Sequence, residues 1–288
     1  MPELPEVEIV KRGLDETIVG SEIAGVEVRA RKLFHGNESD LIGTKVEAVF
    51  RHAKMIEIDL SNGKALLIHL KMTGQLVFDK KSGDKSKRMA GGHPSNDWVA
   101  DLPNKFTHVI FKFKDGGILY FNDLRKFGYI KVYNQSTLKE TKELKDLGPD
   151  PFTKELNEEY LMRVISRRKK VKIKQIIMDQ TVISGVGNIY ADESLFCAGI
   201  SPLRLAQDVK RSELTKLIEC VRKVLKLGLE HGGSSENTYV NIEGKKGEMQ
   251  NHFKIYRKTG KACPRGCGIV KRVVVGGRGT HYCPACQR

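Results

Sequence analysis

Between residues 22 and 133 apolar side chains come in short alternating runs, whereas from 155 to 231 they recur every third or fourth position. No other feature constrains the fold as much. The runs Glu22 to Val28, Lys45 to Phe50, Met55 to Leu60, Ala65 to Leu70, Gln75 to Phe78, Phe106 to Phe113, Ile118 to Phe121 and Tyr129 to Tyr133 read as strands. Asn62-Gly63 and Asp115-Gly116-Gly117 read as hairpin turns between them. An antiparallel sandwich or barrel-like domain follows. Before it, Val7, Val10, Leu14 and Ile18 lie at helical spacing and Gly20 is a natural stop. After it, Leu156, Tyr160, Leu161, Val164 and Ile165, then Ile173, Ile176 and Ile177, predict helices, with a later one over Ser212 to His231. The class is therefore α+β.

A Lys/Glu-rich connector over 135–150, closing on Gly148-Pro149-Asp150-Pro151, marks the boundary. Residues 79–104 lack periodicity and read as an exposed excursion between strands. Residues 232–251, rich in glycine and polar side chains, read as a loop over a site.

Charge is divided unevenly. Residues 1–150 hold 24 Lys/Arg against 22 Asp/Glu, and 151–288 hold 26 against 13. Such a basic half fits a polyanion partner, nucleic acid first, because neutralising phosphates releases counterions; a solvated basic face is the alternative. No apolar run approaches the roughly 18 residues of a membrane span, and an acidic start argues against a secretory signal, so a cytoplasmic protein is expected. Nothing in the sequence calls for more than a monomer.

Four of the six cysteines stand near the end as Cys263-x3-Cys267 and Cys283-x2-Cys286. In a reducing compartment, two such pairs predict one structural zinc held by four thiolates. Cys197 and Cys220, in helical patterns, are expected to be small buried hydrophobes.

The chain begins Met1-Pro2-Glu3-Leu4-Pro5-Glu6-Val7-Glu8. Loss of Met1 would leave Pro2 with a free secondary amine. An α-amino group has a pKa near 8, so much of it is unprotonated at neutral pH, whereas a lysine must first be desolvated. Attack of a secondary amine on a sugar C1′ gives an iminium ion, an electron sink for elimination. Glu3 is the adjacent proton donor or acceptor, Glu6 lies one turn on, and Glu8 is expected to be solvated. Taken alone, these residues fit more simply as a helix start, with Pro5 in the first turn and acids complementing the dipole.

Three further motifs join this one: Asp-Leu-Arg-Lys-Phe-Gly at 123–128, Gly-Val-Gly-Asn-Ile-Tyr-Ala-Asp-Glu at 185–193, and the cysteine hairpin ending Cys-Pro-Ala-Cys-Gln. Together they resemble the bacterial formamidopyrimidine-DNA glycosylases over nearly the whole chain. The resemblance implies an N-terminal catalytic β-sandwich over 1–134, a linker over 135–150, a helix-two-turn-helix domain with a lesion-covering loop over 151–250, and a zinc-finger β-hairpin over 251–288. Double-stranded DNA with a damaged base would lie in the cleft between them. It implies base excision repair of oxidised purines, such as 8-oxoguanine and formamidopyrimidines, followed by strand cleavage through β- and δ-elimination.

By the same resemblance Pro2 is the nucleophile, Glu3 the acid that assists ring opening, and Glu6 a support acting through bound water. Lys54, otherwise an unremarkable surface lysine, touches DNA beside the lesion. Met72, Arg125 and Phe127 fill the space left by the flipped base, an exposed Phe near an Arg being a sensible minor-groove wedge. Met72 and Phe127 as core residues remain open. His69 matches a phosphate contact, or is a core histidine. Asn188 and Arg278 match residues that grip phosphates, their alternatives being a helix N-cap and a turn cation.

The chain departs from the family in three places. The first cysteine pair has three intervening residues where two are usual. Glu236-Asn237 stands where relatives carry an apolar residue and an arginine, and the 79–104 excursion is longer than usual. Lesion choice is therefore less determined than the chemistry. The rivals are the endonuclease VIII group, acting on oxidised pyrimidines, and a catalytically silent lesion-binding protein; Leu4, where that group has glycine, favours the purine group.

Overall fold

Helix α1 (Leu4–Ile18) forms because Val7, Val10, Leu14 and Ile18 share one face, all at most 1% exposed. Glu3 caps it: Glu3 and Glu6 make a reciprocal capping box, and the Glu3 N–H donates to Glu6 Oε2 at 2.8 Å. The chain is seen as a computed structural model that describes residues 1–80, 88–92, 101–234 and 247–288, with the backbone alone at 88–92. Residues Glu236 and Asn237 and most of the 79–104 excursion lie outside it. Two compact units are present, one of Met1–Lys145 with Leu229–Gln250, the other of Asp146–Gly228 with Asn251–Arg288.

In the first unit, ten strands follow α1: β1 (Ile23–Val28), β2 (Phe34–His35), β3 (Val46–His52), β4 (Met55–Leu60), β5 (Lys64–His69), β6 (Gly74–Asp79), β7 (Arg88–Gly92), β8 (Thr107–Phe113), β9 (Ile118–Asp123) and β10 (Tyr129–Asn134). They make two five-stranded sheets, ordered β1-β8-β9-β6-β7 and β2-β10-β5-β4-β3. All pairings are antiparallel except the short β2–β10 contact. The alternation dictates the core. On β4, Ile56, Ile58 and Leu60 point inward to join Val10 and Leu14 of α1 and Phe111 and Phe121 of the other sheet. The eight expected strands are all present, and β2 and β7 are additions to them. The excursion is corrected in part: β7 pairs with β6, a strand whose Arg-Met-Ala-Gly-Gly sequence shows no alternation.

Glu8 is not solvated as expected. It accepts from Arg12 Nε at 3.0 Å and from Arg51 Nε of β3 at 2.8 Å, because α1 lays it against a strand 43 positions away.

The second unit carries α2 (Glu158–Arg167), α3 (Ile173–Met178), α4 (Asn188–Ala198), α5 (Arg211–Glu230), which crosses into the first unit at its end, and the hairpin β11 (Lys271–Val275) and β12 (Arg278–Tyr282). Asn157 caps α2, accepting from Tyr160 N at 2.9 Å. Phe196 of α4 packs with Ile255, Cys263, Val270 and Cys283, so the hairpin is seated on a helix. Cys197 and Cys220 are not separate hydrophobes as expected. They form a disulfide joining α4 to α5, with Cα atoms 5.8 Å apart. Helix packing brings the two thiols together across 23 residues, and no local spacing announces it. Among the described residues, no helix is long and apolar enough to cross a membrane.

Candidate active site and phosphate contacts

Pro2, Glu3 and Glu6 are all buried at the start of α1, with Glu3 4% and Glu6 3% exposed. Glu6 accepts two backbone amides: its Oε2 takes the Glu3 N–H and its Oε1 takes the Ser234 N–H, each at 2.8 Å. Its carboxylate thus joins α1 to Ser234, 228 positions along the chain. Met1 is attached to Pro2, which makes the proline nitrogen an amide until that bond is cut.

Lys54 occupies the two-residue turn between β3 and β4, after Ala53 with a φ of 55°. It is 6% exposed, so the alternative reading as an unremarkable surface lysine does not hold. Arg51 holds that turn, donating to the Ala53 carbonyl at 3.2 Å while paired with Glu8. One guanidinium therefore ties α1 to the turn that bears Lys54, a role no local pattern in the sequence signals.

His69 ends β5, with its ring edge-on to Tyr129 at 5.7 Å. Burial, then the charges of Lys71 and Lys54, pull its pKa down to about 3. The ring is neutral at neutral pH, and Nδ1 accepts from Lys71 N at 3.0 Å. The proton is thereby assigned to Nε2, a donor suited to a phosphate oxygen.

Met72 and Phe127 are 43% and 54% exposed, so neither is a core residue. Arg125 joins them: its Nη1 lies 3.0 Å from Met72 Sδ and its guanidinium carbon 4.8 Å from the Phe127 ring centroid. Two separate turns, after β5 and after β9, thus present one thioether, one cation and one ring together.

In the second unit Asn188 is the first residue of α4, and Gly187 holds the N-cap position, so the alternative reading of Asn188 as the cap does not hold. Its side chain faces the hairpin instead, donating from Nδ2 to the Gly279 carbonyl at 3.0 Å and accepting from Lys174 Nζ at 2.7 Å. Lys174 is wholly buried; it also donates to Thr280 Oγ1 at 2.7 Å and pairs with Asp192 at 2.6 Å. Asp192 in turn accepts from the His281 N–H at 2.8 Å. The Gly276-Gly277 turn, both residues at positive φ, reverses the hairpin, and exposed Arg278 directly follows it as the first residue of β12. Lys174 and Asp192, missed in the sequence, brace α4 and β12, the two elements that carry Asn188 and Arg278, against each other.

The four sulfurs of Cys263, Cys267, Cys283 and Cys286 lie within 4.8 Å of one another. Three of their separations are 3.8, 3.4 and 3.6 Å. Tetrahedral zinc with bonds of about 2.3 Å requires sulfurs about 3.8 Å apart, so the set fits the ion and leaves no position for water. The three-residue knuckle of the first pair contains Gly266 at a φ of +71°, and its Arg265 donates to the Phe196 and Cys197 carbonyls at the end of α4.

Three family models cover the chain in order: the formamidopyrimidine-DNA glycosylase N-terminal domain over 1–130, the H2TH domain of the same proteins over 147–240, and a zinc finger found in FPG and IleRS over 260–288. Fold and matches together define a helix-two-turn-helix protein with a zinc finger. A formamidopyrimidine-DNA glycosylase of Ruegeria pomeroyi is 38% identical over 294 residues, covering 100% of both chains, and one of Pelotomaculum thermopropionicum is 37% identical over 293 residues, covering 100% of this chain and 99% of that protein. Among solved structures, the Lactococcus lactis Fpg in complex with abasic-site DNA is 31% identical with a TM-score of 0.85, covering 99% of each chain. The wild-type form of that protein with DNA containing N7-benzyl-Fapy-dG is 31% identical with a TM-score of 0.85 over 100% of both. The chain belongs to the formamidopyrimidine-DNA glycosylase family.

Proposed function

We propose that Pro2, once Met1 is removed, is the nucleophile of a bifunctional DNA glycosylase of base excision repair. The enzyme removes oxidised purines from double-stranded DNA and cuts the strand at the resulting abasic site. The proline nitrogen attacks C1′, the bond to the base breaks, and the base leaves with the electron pair. Glu3, buried beside Pro2, gives a proton to the ring oxygen as the sugar opens, leaving an iminium at C1′. Loss of a C2′ proton then drives β-elimination of the 3′ phosphate, and δ-elimination removes the 5′ phosphate. Glu6 supports this site through the Glu3 and Ser234 amides. Lys54 and neutral His69 serve as DNA contacts near the lesion, Met72, Arg125 and Phe127 as the filler, and Asn188 and Arg278 as phosphate grips.

The four cysteines hold one structural zinc, whose part is to keep the hairpin and Arg278 rigid. A DNA substrate sets the place of action in the cytoplasm, at the nucleoid.

The carrying observation is the buried, mutually capped pair Glu3 and Glu6 at a chain start whose second residue is proline. Borohydride reduction during turnover on duplexes bearing 8-oxoguanine or thymine glycol tests it. A covalent adduct through residue 2, formed preferentially on 8-oxoguanine, is the expected result. An adduct mapped to a lysine would sink the assignment of Pro2, and preference for thymine glycol would sink that of the lesion.

A further inference from the structure

The exposed trio Met72, Arg125 and Phe127 stands on two turns that share one buried anchor. Asp123, 1% exposed at the end of β9, accepts from the Phe127 N–H at 2.8 Å and the Gly128 N–H at 2.7 Å through Oδ2. Through Oδ1 it accepts from the Arg125 N–H at 3.1 Å and from the hydroxyl of Thr73. Thr73, next to Met72 in the other turn, accepts from the same Arg125 N–H at 3.0 Å. The carboxylate thus takes three backbone amides of its own turn and one hydroxyl from the turn 50 positions away. Beneath it, His108 Nε2 donates to the Asp123 carbonyl at 2.8 Å, with burial the main cause lowering that ring's pKa.

We infer that Asp123 and Thr73 are positioning residues that lock the two turns into a single wedge, and so control eviction of the damaged base but not the chemistry at C1′. This rests on the glycosylase reading above. A wedge must hold its shape while unstacking bases, which costs a few kcal/mol per step. The strands that flank the turns are paired at Gly74–Asp123 and His69–Tyr129, so the shared anchor fixes the turn tips, and without it that work would be lost in reordering their side chains. Lys126, between Arg125 and Phe127, has a φ of 55°, a conformation that the amides bonded to Asp123 help to hold. Among the described residues, the Thr73 hydroxyl is the side-chain bridge from the Met72 turn to this carboxylate. Removing it takes away the buried link at the base of the wedge, leaving the Arg125–Met72 contact and the strand pairings Gly74–Asp123 and His69–Tyr129 that flank the turns, and leaving Pro2, Glu3 and Lys54 in place.

The test uses the full-length, zinc-bound protein with Thr73→Val and Thr73→Ser. Three readouts are taken: excision of 8-oxoguanine from a duplex, fluorescence of 2-aminopurine beside the lesion during eviction, and cleavage of a duplex with a preformed abasic site. A charge-assisted hydrogen bond of ordinary strength predicts that Thr73→Val slows eviction and excision by about tenfold, with abasic-site cleavage retained within about twofold. Thr73→Ser restores both. Equal loss of excision and abasic-site cleavage, or no loss of eviction, overturns the inference. Parent protein that neither evicts nor excises would instead overturn the glycosylase reading itself.

Discussion

Lys174 and Asp192 form an ion pair at 2.6 Å with both side chains wholly buried. The pair sits among α3, α4 and β12, and its lysine also holds Asn188 and Thr280. Breaking such a pair from one side strands a charge without water, at a cost of about 3–5 kcal/mol. Lys174→Met should therefore lower Tm markedly and weaken DNA binding, because Asn188 loses its cationic partner. The double variant Lys174→Met, Asp192→Leu should recover part of the Tm but none of the affinity. Thermal denaturation and fluorescence anisotropy on the same preparations separate the two effects.

Glu3→Gln keeps an acceptor oxygen for the helix cap but cannot transfer a proton. Stability should change by less than about 1 kcal/mol. Base excision should fall about a hundredfold or more, as expected when a general acid is removed. Single-turnover kinetics beside thermal melts distinguishes this from simple loss of the cap, in which both would decline together.

Burial, then the hydrogen bond and charge of neighbouring Glu57, push the Asp59 carboxyl up to about 7, with Glu47 adding to the rise and His52 opposing it. The folded protein thus holds a proton there that the unfolded chain releases near pH 4, and the stability it contributes is lost as pH rises through about 7. Asp59→Asn mimics the protonated form. Its Tm should approach the parent's towards about pH 4 and exceed it increasingly up to about pH 8. A Tm difference independent of pH would show that the carboxyl titrates normally.

Zinc removal should cost binding before chemistry. Atomic absorption should find one zinc per chain, and chelation should expose four thiols, rising to six once the Cys197–Cys220 disulfide is reduced. Without the ion Arg278 and the Gly279 carbonyl lose their frame, so DNA affinity should fall by more than about tenfold. Unchanged affinity after full chelation would detach the hairpin from DNA binding.

Much was legible along the chain. The strand from Met55 to Leu60 lies where alternation put it, since its period of two leaves one face apolar. The cysteine spacing likewise announced the metal site. The burial of Lys54 was not legible, since nothing in Arg51-His52-Ala53-Lys54 shows that the turn lysine is only 6% exposed. The pairing of Cys197 with Cys220 was missed for a similar reason: two helical patterns do not state which faces meet.

By itself, then, the sequence determined most of the elements, their order, the cysteine cluster and the family, because these follow from local period, local spacing and residue type. Only the tertiary structure decided that Arg51 links Glu8 to the Lys54 turn, that Lys174 is buried against Asp192, and that Asp123 and Thr73 join two wedge turns. Each of these depends on whether a charge loses its water, and that is settled by what packs over it from distant parts of the chain.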